Sequence, residues 1–278
     1  MNTARALSEG LIGAFAASII GASALAQTPS PSACADGEPE RRITACSIII
    51  DDSRANVDAR SRALDNRGVA YARRKELAKA LNDFDEALRL YPGNATAYVN
   101  RGSLLLDTGK YGPAIEDFTR ALALEPLDGH AYNGRGVALL RAGNATAALV
   151  DLHAAVRLRP DEAEVLNNRG TAHFTLGAYE AATKDYSEAV RLNDRFAGAY
   201  YNRGNAHLRT GNLRAALDDL SKAVTLDPSD VSARYNRGAV HLMLGQHGEA
   251  AIDFRETLRL DPTHSRARHG LMLTGSSP

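Results

Sequence analysis

The chain has 278 residues, with 33 Lys plus Arg balanced by 33 Asp plus Glu, for a formal net charge of zero. That balance argues against a nucleic-acid partner, whose phosphates demand a basic face. No uninterrupted apolar run of about 18 residues is flanked for spanning, so no membrane-embedded body is expected once an N-terminal signal is removed.

Residues 1–26 have the pattern of an export signal. Arg5 precedes an apolar run from Leu11 to Ile20, and Ala24-Leu25-Ala26 supplies the small residues of a cleavage site before Gln27. Glu9 is atypical of the positive n-region, and an uncleaved amphipathic N-terminus is the alternative. No Cys follows the cleavage point directly, so a lipid anchor is not indicated. Export implies an oxidising compartment, in which the only two cysteines, Cys34 and Cys46, are expected to form a local disulfide. A redox or metal pair lacks supporting ligands nearby.

Residues 27–38 (QTPSPSACADGE) are rich in Pro and Ser and predict a flexible leader. Pro39 to Asp51 then has helical periodicity, with Ile43, Cys46, Ile49 and Ile50 on one face. This segment, counted to residue 60, is expected to cap the structure that follows, and Asp52 to Asp58 to connect to it.

From residue 61 to 264 the chain repeats itself every 34 residues. The repeats run 61–94, 95–128, 129–162, 163–196, 197–230 and 231–264, and residues 265–278 begin a seventh copy that stops. Asn-Arg-Gly stands at Asn66, Asn100, Asn168, Asn202 and Asn236, with Gly134-Arg135-Gly136 in the altered copy. Each copy predicts two helices joined at Gly109, Gly143, Gly177, Gly211 or Gly245, where φ turns positive, with Lys75 at that place in the first. Pro92, Pro126, Pro160, Pro228 and Pro262 close the second helices; Asp194 replaces proline in the fourth. A fixed period of this length marks a helical-hairpin solenoid.

With Tyr98, Gly102, Ala114, Phe118, Ala121 and Pro126 at its signature places, the unit resembles the tetratricopeptide repeat (TPR). The resemblance implies an all-α, right-handed superhelical solenoid of six helix-turn-helix repeats. A degenerate N-terminal cap helix and a C-terminal capping helix, made polar by Arg266, Arg268 and His269, would close its ends. It also implies a non-catalytic protein-protein interaction scaffold, with no cofactor. Alanine and arginine richness suggests a bacterial chain, and with the export signal a periplasmic or secreted one. No Gly-x-Ser-x-Gly, His-Glu-x-x-His or phosphate loop stands in the sequence to suggest an enzyme.

Several periodic residues have structural explanations. The mid-helix glycines Gly68, Gly102, Gly136, Gly170, Gly204 and Gly238 each cost about 1 kcal/mol against alanine. Close helix approach, with Ala80 and its equivalents opposite, is the expected offset; Phe84, Phe118, Leu152, Tyr186, Leu220 and Phe254 would fill space between repeats. Arginines 67, 101, 135, 169, 203 and 237 stand where the family usually has leucine, matched by aspartates 83, 117, 151, 185, 219 and 253. This pattern predicts a ladder of ion pairs, within or between repeats; ligand binding by the arginines is the rival. His173, His207 and His241 also keep the period, at core positions. They suit packing, with a pH-sensitive joint or a metal stripe as alternatives.

In the family, the first helices line a concave surface, and in its O-linked glycosyltransferase relatives an asparagine ladder at this position grips peptide backbone. By that resemblance Asn66, Asn100, Asn168, Asn202 and Asn236 would bind an extended protein segment, the ladder breaking at Gly134. A carboxamide has the acceptor and donors to match one peptide unit, and a helix packing distance of about 10 Å between repeats spans about three extended residues. The alternative is that each Asn satisfies local backbone or the Arg–Asp network. Arg73, Arg141, Arg209, Tyr201 and Tyr235 share the groove register and would suit acidic and apolar groups of the segment. A solvated face accounts for the arginines equally. The lysines of the family's carboxylate clamp are absent. A non-catalytic accessory subunit of an envelope glycan or cell-wall enzyme complex is the other reading.

Overall fold

A computed structural model describes residues 32–275; the expected export signal (residues 1–26) and residues 27–31 of the leader lie outside the described residues. Fifteen α-helices make up the described chain, with no strand among them. Two precede the repeats, α1 (Ser32–Asp36) and α2 (Pro39–Asp51). Six hairpins follow: α3 (Val57–Arg73) with α4 (Leu77–Leu90), α5 (Ala95–Asp107) with α6 (Tyr111–Leu124), and α7 (Gly129–Arg141) with α8 (Ala145–Leu158). The remaining three are α9 (Ala163–Thr175) with α10 (Tyr179–Leu192), α11 (Ala197–Arg209) with α12 (Leu213–Leu226), and α13 (Val231–Met243) with α14 (His247–Leu260). The single helix α15 (Ser265–Leu273) closes the series.

Two local expectations change. The leader is helical from Ser32 to Asp36, where Cys34 is buried and bonded to Cys46. The first helix of the first hairpin begins at Val57, inside the expected connection, because the Asn56 side chain caps it by accepting from the Ala59 amide.

The hairpins form because each joint supplies a left-handed residue. Gly109, Gly143, Gly177, Gly211 and Gly245 have φ between 75° and 84°, and Lys75 adopts 62° at the equivalent place. Second helices stop at Leu90, Leu124, Leu158, Leu192, Leu226 and Leu260. The fourth repeat stops in the same register without a proline, so packing rather than Pro sets the end.

The core is built hairpin by hairpin. The mid-helix glycines admit the large side chain of their own second helix, rather than only its alanine. A Cβ on Gly68 would lie 2.7 Å from the Phe84 ring, and one on Gly170 2.7 Å from the Tyr186 ring. Burial of each such ring or leucine contributes about 1.5–3 kcal/mol, which outweighs the glycine cost of about 1 kcal/mol. Phe118 and Phe254 also reach the next repeat, against Gly134 and Gly270. The expected filling of space between repeats is therefore only part of what these side chains do.

Consecutive first helices touch one another, from α3 through α15 by odd numbers, whereas no two second helices do among the described residues. The stack therefore curves, with first helices on its inner, concave face. No described helix is long and apolar enough to cross a membrane.

Candidate functional site

Two side-chain ladders run along this curved stack. The outer one is the Arg–Asp ladder, and each pair lies within its own repeat. Arg Nε donates to Asp Oδ2 and Nη2 to Oδ1, at 2.6–2.9 Å from Arg67–Asp83 through Arg237–Asp253. The carboxylates are buried, and the guanidiniums of Arg67, Arg101, Arg135 and Arg203 are held above their usual range by these bonds. The third nitrogen reaches back to the preceding second helix: Nη1 of Arg67, Arg101, Arg135 and Arg203 donates to Ser47, Asp85, Thr119 and Ser187. One guanidinium thus ties a hairpin together and joins it to the previous one. The aspartate takes two N–H groups of every ladder arginine, and in these four repeats the previous hairpin takes a third, which assigns the arginines to the fold.

The periodic histidines join this network. Nε2 of His173, His207 and His241 lies 3.8–3.9 Å from Oδ2 of Asp185, Asp219 and Asp253. Burial pushes His173 below the usual histidine range, opposed by Asp185 and reinforced by Arg169. No cluster suited to a metal ion occurs among the described residues.

The inner ladder is made of asparagines, and it has two rails. Asn168 Nδ2 donates to Asn133 Oδ1 at 3.0 Å, and Asn202 Nδ2 to Asn167 Oδ1 at 2.9 Å. Asn236 Nδ2 donates to Asn205 Oδ1 at 2.7 Å and approaches the Tyr201 hydroxyl at 3.4 Å. Asn100 Nδ2 donates to Asp65 Oδ1 at 2.9 Å. Asn100, Asn168 and Asn202 therefore each spend one N–H on the preceding first helix and keep an acceptor oxygen and a second N–H, whereas Asn236 keeps its acceptor oxygen. Asn133, Asn167, Asn205 and Asp65 escaped the sequence reading; their signal was a polar residue beside or near the Asn of the previous repeat. At the rung where Gly134 replaces asparagine neither partner is polar, because Val99 stands 35 residues before it. A Cβ on Gly134 would collide with the Phe118 ring, so no asparagine fits there.

Asn100, Asn133, Gly134 and Asn168 line one trough of about 990 Å³ that extends along three repeats and includes Arg141. Other candidates have different surroundings. Asn66 is engaged by the cap: it accepts from Arg42 Nη2 at 3.4 Å and lies 3.9 Å from Cys34 Sγ. Arg73 is exposed, and Arg209 is stacked over the Tyr179 ring, 4.9 Å from its centroid. Tyr201 packs against the buried cluster of Ala216, Leu220 and Val240. Tyr235 lies against His264 and beneath the Arg266 guanidinium. The two tyrosines do not form a paired platform.

Burial raises the Asp65 carboxyl to about 6, against the opposing pull of the Asn100 hydrogen bond and the Arg42 charge.

With this geometry in place, comparison with known proteins fixes the class. Profiles described as "Tetratricopeptide repeat" match residues 61–94, 99–152 and 201–265, and one described as "TPR repeat" matches 172–211. The chain belongs to the tetratricopeptide repeat family. No curated protein sequence matches it. Among solved structures, it resembles the APC/C hetero-tetramer Cut9-Hcn1 at 20% identity and TM-score 0.72, covering 86% of this chain and 49% of that one. The chain thus spans about half the length of that relative. A tetratricopeptide repeat protein from Parabacteroides merdae is 20% identical with TM-score 0.64, covering 88% of this chain and 95% of that one. YrrB, titled a TPR protein with an unusual peptide-binding site, is 25% identical with TM-score 0.55, covering 69% and 96%.

Proposed function

We propose that this chain is a non-catalytic scaffold that holds an extended segment of a partner protein along its concave face. The observation that carries this reading is the double rail of carboxamides on the first helices. Asn100, Asn168 and Asn202 keep a free acceptor and a free donor, as one peptide unit requires, and repeats of this kind supply them at intervals along the groove. The description of YrrB as peptide-binding supports the same use of such a face. The periodic arginines and aspartates are paired with each other in the outer ladder.

The scaffold acts outside the cytoplasm, in a bacterial periplasm or beyond. The N-terminal signal pattern and the Cys34–Cys46 disulfide support that location. An accessory role on glycan is less favoured, because sugar faces call for open aromatic platforms and Tyr201 and Tyr235 are packed against neighbours.

The test is the triple variant Asn168→Ala, Asn202→Ala, Asn236→Ala, measured by calorimetry on peptides selected for binding. Each neutral hydrogen-bonding group contributes about 0.5–1.5 kcal/mol, so affinity should fall about a hundredfold, and equally for peptides of unrelated sequence. Unchanged affinity with a lowered melting temperature would assign the asparagines to the fold alone.

A further inference from the structure

The inner ladder is interrupted twice by glycine, at Gly134 and again at Gly270, which takes the asparagine place in α15. At both, the phenylalanine of the preceding second helix occupies the position where a side chain would begin; a Cβ on Gly270 would lie 2.6 Å from Phe254 Cζ. The second interruption opens into a pocket of about 540 Å³ between α13 and α15. Its walls are apolar: Tyr235, Leu242, Met243, Phe254 and Leu273. Met243 and Leu273 stay 61% and 56% exposed, so the capping helix leaves apolar surface uncovered rather than sealing the stack with polar side chains. No carboxylate lines the pocket among the described residues, whereas Arg266 and His269 do. The Arg266 guanidinium stacks on Tyr235 at 5.5 Å and makes no ion pair among the described residues. It differs in this from the nearby Arg259, which is bonded to Glu256.

We propose that this glycine-floored pocket is the specificity subsite of the groove, taking one large apolar side chain of the partner segment with an acidic residue beside it. The inference rests on the groove reading above and adds what that reading lacks, a sequence preference. The carboxamide rail is indifferent to side chains, because it addresses backbone. The pocket is not: its volume admits a Phe, Leu or Met, and Arg266 presents a permanent charge that a neighbouring carboxylate can satisfy. The apolar walls supply affinity by burial, while the charge sets which segments are accepted.

Random dodecapeptides displayed on phage and selected on the purified chain provide the probe. The expected result is enrichment of a large apolar residue adjacent to Asp or Glu. The winning peptide should then lose at least tenfold in affinity for Leu273→Glu and for Arg266→Glu, both at exposed positions that leave the helical circular dichroism unchanged. Replacing its acidic residue by Lys should restore binding to Arg266→Glu. Peptides without the apolar–acidic pair, no enriched sequence, or affinities within twofold for both variants would overturn the proposal. Loss confined to the triple asparagine variant would retain the groove and reject the pocket; loss confined to the pocket variants would do the reverse. A sedimenting dimer abolished by Leu273→Glu would also overturn it, assigning the surface to a second copy of the chain.

Discussion

At the N-terminal end the concave face is closed: α1, tied by the disulfide to α2, brings Cys34 onto Asn66, and Arg42 of α2 joins it there. At the C-terminal end the same register is left open, where Gly270 replaces asparagine and Met243 and Leu273 remain exposed. Both ends interrupt an otherwise regular ladder, but one spends its polar groups internally and the other exposes apolar surface. Periodicity therefore builds the groove, and departures from it decide where the groove stops and where it discriminates. Between the ends, the Arg–Asp ladder treats all six hairpins alike.

The comparison breaks most severely where the two ends share a device. Arg169→Leu strands the buried Asp185 carboxylate and should cost about 3 kcal/mol in urea melts. Adding Asp185→Leu should recover part of that loss, whereas strictly additive effects would show that the two are uncoupled. The next effect belongs to the closed end alone. Replacing Cys34 and Cys46 with Ser should remove about 2–3 kcal/mol from the cap by the chain-entropy account. Amide exchange should rise in α1 and α2 and stay unchanged in α15; a uniform rise would deny that the ends are held independently.

The smallest effect is a pH dependence, also confined to the closed end. Asp65 titrates near 6 when folded and has an ordinary value of 3.8. Its pKa is raised, so the stability tied to its neutral form is present below about pH 4 and lost as pH rises through about 6. Asp65→Asn should remove that dependence and gain on the wild type by on the order of 2 kcal/mol between pH 4 and pH 7. Parallel pH profiles for the two proteins would contradict the assignment.

The hairpins were legible in the sequence because their determinants are local and periodic: a glycine at each joint, and an Arg and an Asp 16 residues apart within every repeat. Whether those pairs lay within or between repeats was not legible, because a period gives register and not distance. The second rail was missed for a related reason. Asp65, Asn133, Asn167 and Asn205 are not one residue type at one position, and only packing of successive first helices brings them to Asn100, Asn168, Asn202 and Asn236. The short helix α1 was hidden by its Pro and Ser neighbours, since its order comes from the covalent tie to α2 rather than from propensity. The capping helix looked polar by composition, yet Ala267, Gly270 and Leu271 are its buried face and Met272 and Leu273 remain outside.

The central claim is that partner backbone lies on the inner carboxamides, and side-chain amide resonances report on them directly. Nitrogen-edited spectra recorded during titration with a selected peptide should shift the Nδ2 protons of Asn100, Asn168, Asn202 and Asn236 together, while Ile252 and Val150 on second helices stay in place. Shifts at those second-helix residues with unmoved carboxamide signals would contradict the account.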